Sequence, residues 1–188
     1  TYDTISVGTR WLDGRPTEVI LDGIQLHYYA ISTESLNRKI AELDGLTFYV
    51  YGNAVVIDDA TGQYKQIADK IHDPSLLPQR FGNELEMLRR RKRALHYVLN
   101  SDIDPMARLE ICTEIIKRLL ICIALYDGRE YDSRKRLYCT ALLGTTGNLL
   151  QSKIDKMISL LGTACKTENT MAATEFLELF DYCFDYIS

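Results

Sequence analysis

Four sets of residues have the types and spacing to do chemistry. Arg89, Arg90, Arg91, Lys92 and Arg93 are the densest run of charge in the chain, and His96 follows Arg91 after four intervening residues. An arginine can stabilise the charge that develops on a phosphorane, and a histidine can move the protons of the same reaction. On a helix, five consecutive positions cover about 400° of azimuth, and positions five apart lie about 140° apart, so the run cannot face one partner. It reads first as a solvated face paired with Glu84 and Glu86, and second as a phosphate contact through Arg91. Glu110, Glu114 and Arg118 are spaced i, i+4, i+8 and predict a salt-bridge ladder on one helix face. Lys135, between Arg134 and Arg136, reads as an exposed lysine. His27 lies in a stretch that alternates Ile24, Leu26, Tyr28 against Gln25, His27, Tyr29, the period of a half-buried strand.

The elements that must position these residues change character along the chain. Thr4–Leu12 and Thr17–Leu21 read as strands around the Asp13-Gly14-Arg15-Pro16 turn, and Asp22-Gly23 leads into the strand Ile24–Ile31. Ser32 is a helix cap, with Ser35 where a capping box prefers Glu, and the helix runs to about Leu43. Residues 46–51 and 54–58 predict short strands, or a helix end followed by one strand. Gln63–Ile71 is a short helix. Asp73-Pro74 through Pro78 is the clearest linker, and beyond it the period switches from 2 to 3.6. Five helices follow. They span Asn83–Leu99, Pro105–Tyr126, a stretch capped by Asp132-Ser133 and running through Leu143, Asn148–Leu161, and Thr170–Tyr186. Short connections and apolar stripes predict an antiparallel bundle.

Composition narrows the classes further. Of the 188 residues, 46% are hydrophobic and 26% charged, which is ordinary globular usage. A net charge of −4 gives nucleic acid no global attraction. No apolar run approaches a membrane span, and no secretory leader opens the chain. It opens at Thr1 without Met, and the alternation from Tyr2 to Val7 predicts a processed or partial chain cut inside a sheet. Cys112, Cys122, Cys139, Cys165 and Cys183 are odd in number, contain no C-x-x-C pair and sit among apolar residues. They read as reduced core thiols of a cytoplasmic protein. The three histidines, His27, His72 and His96, make no multi-His metal site unless the fold gathers them. P-loop, dinucleotide-binding, nucleophile-elbow and zinc-protease signatures are absent from the sequence.

The segment from Asp22 to Leu36, DGIQLHYYAISTESL, resembles the last core strand and following helix of nucleotidyltransferases of the kanamycin-nucleotidyltransferase type. GNAVVIDDATGQYKQIADKI and LYDGREYDSRKRLYCTALL are similar to later stretches of the same family. The resemblance implies an α+β chain: a small mixed sheet with helices over 1–73, a partial nucleotidyltransferase fold, then an all-helical bundle over 80–188. It implies transfer of a nucleotidyl group from a nucleoside triphosphate to an acceptor hydroxyl, with Mg²⁺ held by paired carboxylates. The family's Gly-Ser loop and Asp-x-Asp pair would lie upstream. Its third carboxylate falls at His27, with Gln25 the nearest alternative. Neither is a carboxylate, and imidazole is a poor Mg²⁺ ligand, so no metal residue is assigned and weak or absent Mg²⁺–nucleotide binding is expected. In the family's terms His27 and Glu114 are the catalytic positions, Glu114 as a general base toward the acceptor hydroxyl. Lys135 and Arg91 are the phosphate contacts. Two other classes stay open. One is a non-catalytic interaction or homo-oligomerisation module. The other is a ribonuclease similar to the HEPN proteins, through Arg91 and His96.

Overall fold

The computed structural model describes residues 2–8, 17–21, 24–52, 54–56, 58–130, 136–166 and 169–188. The chain divides into two compact units, Thr1–Asp73 and Pro74–Ser188.

The first unit begins with strands β1 (Tyr2–Gly8), β2 (Thr17–Leu21) and β3 (Ile24–Ser32), in the order β1-β3-β2. β1 runs parallel to β3 and β2 antiparallel to it. Ser32 ends β3 and caps helix α1 (Thr33–Ala41), its hydroxyl accepting from Ser35 N at 3.1 Å. Leu43, at φ 54°, turns the chain into α2 (Gly45–Gly52). There Asp44 accepts from both the amide and the hydroxyl of Thr47, at 3.0 and 2.6 Å. An aspartate placed just before a helix satisfies amides that have no intrahelical partner. Residues 46–51 are therefore helix, the second of the two alternatives the sequence left open, and 54–56 form no strand; Val55 is 89% exposed. Asp59 does the same for α3 (Gln63–Ile71), accepting from Tyr64 N and Lys65 N at 3.1 and 2.9 Å. Ile31, Leu36, Ile40, Phe48, Tyr51, Ile67 and Ile71 are buried and make this unit's core.

The α+β assignment is overturned. Among the described residues eight α-helices carry the fold, no residue after Ser32 is in a strand, and the chain is mostly an all-helical protein. Alternation over 46–58 suggested more strand than forms, because capping by Asp44 and Asp59 commits the chain to helices on either side.

The second unit opens with a short 3₁₀ turn, Pro74–Leu76, and continues directly into α4 (Leu77–Asn100). The helix begins six residues before the expected start at Asn83, because Pro78 sits in its first turn, where the missing N–H costs nothing. Helix α5 (Pro105–Tyr126) is capped by Asp104, which accepts from Met106 N and Ala107 N at 2.9 and 3.2 Å. It is the centre of the bundle and packs against α4, α6 (Leu137–Leu142), α7 (Thr145–Ala164) and α8 (Thr170–Ile187). That position explains its sequence. Cys112, Ile115, Ile116, Leu119, Leu120, Cys122 and Ile123 are all buried, so apolar residues wrap most of its circumference rather than one stripe. Opposite them, α8 buries Ala173, Phe176, Phe180, Cys183, Phe184 and Ile187 at helical spacing. The expected cap at Asp132-Ser133 lies outside the described residues. Helix α7 starts at Thr145, not Asn148, and passes through Gly162 to Ala164.

Candidate functional site

His27 lies at the middle of β3, the central strand. In the parallel pairing it stands opposite Asp3 of β1, and in the antiparallel pairing opposite Glu18 of β2. Asp3, His27 and Glu18 thus form one row across three strands. Directly paired positions share a face of a sheet and stand about 5 Å apart from strand to strand. By residue type the row holds one histidine and two acidic residues, and imidazole suits borderline divalent cations better than Mg²⁺. Gln25, the other position weighed on this strand, pairs with Ile20 and brings no carboxylate beside it.

The remaining sequence-derived residues fall in the helical unit. Glu114 is exposed on α5 and ion-paired with Lys117 one turn on. The ladder expected at Glu110, Glu114 and Arg118 does not form. Arg118 instead crosses to α4, where its Nη1 donates to the buried Glu84 at 2.9 Å. Lys135 lies outside the described residues. Arg91 is exposed on α4.

The basic run resolves into two parts. Arg89, Lys92, Arg93 and His96 fall within about 100° of helix azimuth, whereas Arg90 and Arg91 point elsewhere. The four on one face, with Phe184 of α8, line an open groove of about 550 Å³. Lys92 reaches Asp181 at 3.1 Å and Asp185 at 3.3 Å, and its ammonium lies 4.6 Å from the centre of the Phe184 ring. Asp181 also holds His96, with Nε2 3.2 Å from the carboxylate. Arg89 lies 3.9 Å from Glu86, and no ion pair among the described residues includes Arg93. Helix α4 is unbroken through Ala94, so Arg91 and His96 stay on different faces. The spacing of 89, 92, 93 and 96 already marks a shared face in the sequence. Asp181 and Phe184, more than eighty residues on, carry no local signal that they belong there.

Two cysteines meet in the bundle. Cys112 and Cys165 are both buried, and hydrogen bonding to Cys165 together with burial holds the Cys112 thiol protonated well above its ordinary range. Among the residues whose side chains are described, which begin after residue 30, no group of three or more His, Cys, Asp or Glu is arranged to hold a metal ion, and among the described residues no helix is long and apolar enough to cross a membrane.

No family model, curated protein or solved structure matches the chain. The class the structure defines is a mostly helical protein: a small three-stranded unit with short helices, and a bundle built around α5.

Proposed function

We propose that this chain carries nucleotidyl-transfer chemistry at the Asp3–His27–Glu18 row, moving a nucleotidyl group from a nucleoside triphosphate to an acceptor hydroxyl. The reading rests on these residues and on the resemblance of the 22–36 segment, not on a fold class. The observation that carries it is the register. The position matching the family's third carboxylate is flanked by a carboxylate-bearing residue on each neighbouring strand. A divalent cation at this row would supply the positive charge that lowers the barrier to attack by a hydroxyl. By residue type, a histidine in the row makes Mg²⁺ the poorer occupant and Mn²⁺ the better one. Glu114, which the resemblance implies as a general base, belongs to the second unit, and the proposal does not rest on it. Lys135 and Arg91 likewise belong to the second unit, and the proposal does not rest on them.

The test is calorimetric titration with ATP in the presence of Mg²⁺ or Mn²⁺, alongside transfer of label from α-labelled ATP. Wild type binds Mn²⁺–ATP more tightly than Mg²⁺–ATP. His27→Asp reverses that order by raising affinity for Mg²⁺–ATP at least tenfold, because it supplies a hard oxygen ligand. Asp3→Asn abolishes binding of both. Equal binding by all three proteins, or none by any, overturns the reading and leaves the helical unit's interaction role as the function to pursue.

A further inference from the structure

We propose that the α4 face bearing Arg89, Arg93 and His96, with Tyr97 at its edge, is a binding site for single-stranded nucleic acid. The net charge of −4 gives such a ligand no global attraction, so the binding must come from a local face. That face exists. Among the described residues the five consecutive cations Arg89 to Arg93 pair with three carboxylates, those of Glu86, Asp181 and Asp185. Asp181 and Asp185 are occupied by Lys92, and Asp181 by His96 as well, which fixes both side chains along the wall of the groove. Arg93 forms no ion pair among the described residues, and Arg89 has only the distant one to Glu86. Both are exposed on the groove's rim. Guanidinium groups left free in this way bind phosphate oxygens through two parallel N–H donors.

Size and shape separate a strand from a free phosphate. From Arg89 to His96 the face extends about 10 Å along the helix axis, more than one phosphate group spans. The groove of about 550 Å³ is open rather than closed around a small ligand. Tyr97 lies one turn beyond Arg93, and 69% of its surface is exposed. An aromatic ring on solvent next to a row of cations is what a stacked base requires, and every base has a face to offer it, so binding there is tolerant of sequence. His96 is half-exposed beside these donors and is held through Nε2.

The site lies wholly in the helical unit, so its failure and the failure of the nucleotidyl-transfer reading are independent. The probe is a short fluorescein-labelled oligouridylate, titrated with the full chain by fluorescence anisotropy. Wild type binds with log K falling against log salt at a slope of about −1.4, as two neutralised phosphates give. Arg89→Ala/Arg93→Ala weakens binding more than tenfold and brings the slope close to zero. Tyr97→Ala weakens it at least fivefold with the slope unchanged, which a merely structural role would not produce. Lys166→Ala, just beyond α7 and not lining the groove, changes affinity less than twofold. Far-UV circular dichroism confirms that each variant is folded. Equal binding and slope in the double variant overturn the proposal. So does full competition by equimolar inorganic phosphate or uridine monophosphate, which would make this a small-anion site.

Discussion

Helix α7 begins without a local cap, and replacing Asp127 tests how the bundle compensates. The residue before α7 is Gly144, which has no side chain to offer. The amides of Thr146 and Gly147, which a cap would satisfy, are instead bonded by the carboxylate of Asp127 at the end of α5, at 3.0 and 3.2 Å. A missing cap costs about 0.5–2 kcal/mol. The charge on the helix N-terminus adds about 0.3–1 kcal/mol. Asp127→Gly should therefore lose about 2 kcal/mol, a fall in melting temperature of roughly 8 °C for a unit of this size. Gly144 supplies the second half of the test. Its backbone, at φ −83° and ψ 167°, suits any residue, and Ser there is a strong cap elsewhere. Here a Cβ would lie 1.9 Å from the Asp127 carboxylate oxygen and 2.6 Å from its Cβ. Gly144→Ser therefore destabilises the native protein. In the Asp127→Gly background the obstruction is gone, and the same change recovers about 1 kcal/mol by capping α7 locally. Thermal melts followed at 222 nm for the four proteins complete the cycle. A Gly144→Ser change with the same sign in both backgrounds, or a loss below about 0.5 kcal/mol for Asp127→Gly, would refute the argument.

Further outcomes follow from the same packing. Gly147→Ala places a Cβ 1.8 Å from the Ala141 carbonyl oxygen, a backbone atom that cannot swing aside, so the urea midpoint should fall by the equivalent of about 3 kcal/mol. Cys139 is the exposed cysteine and the other four are buried, so a disulfide-exchange reagent should titrate one thiol within minutes and the rest only on unfolding. Burial pushes the Cys183 thiol up to about 11, against about 8.5 in an unfolded chain. The unfolded state then loses its proton first, so stability holds below about pH 8 and falls progressively between about pH 9 and pH 11; denaturant midpoints across that range check it.

The sequence by itself determined the parts of this protein that rest on neighbours a few residues apart. Asp104-Pro105 starts α5 and Ser32 starts α1 because the capping oxygen and the amides it satisfies are separated by only two or three residues. The change of period near Pro78 announces a region of helices because the apolar stripe is written in the chain itself. Tertiary structure decided what depends on distant partners. Asp127 reads locally as the end of α5, yet it also caps a helix that starts eighteen residues later. Arg118 reads as part of a ladder on its own helix but pairs with Glu84 across the bundle, where burial strengthens the attraction. Residues 46–51 carry apolar alternation that suits a strand as well as a helix, and the Asp44 cap settles the matter. The candidate sites divide in the same way. His27 was visible as a polar residue on a strand, but the register that sets Asp3 and Glu18 beside it is a property of strand pairing. The basic run was visible as charge. Only the packing of α8 on α4 decided which cations are held by Asp181 and Asp185 and which remain free for a ligand.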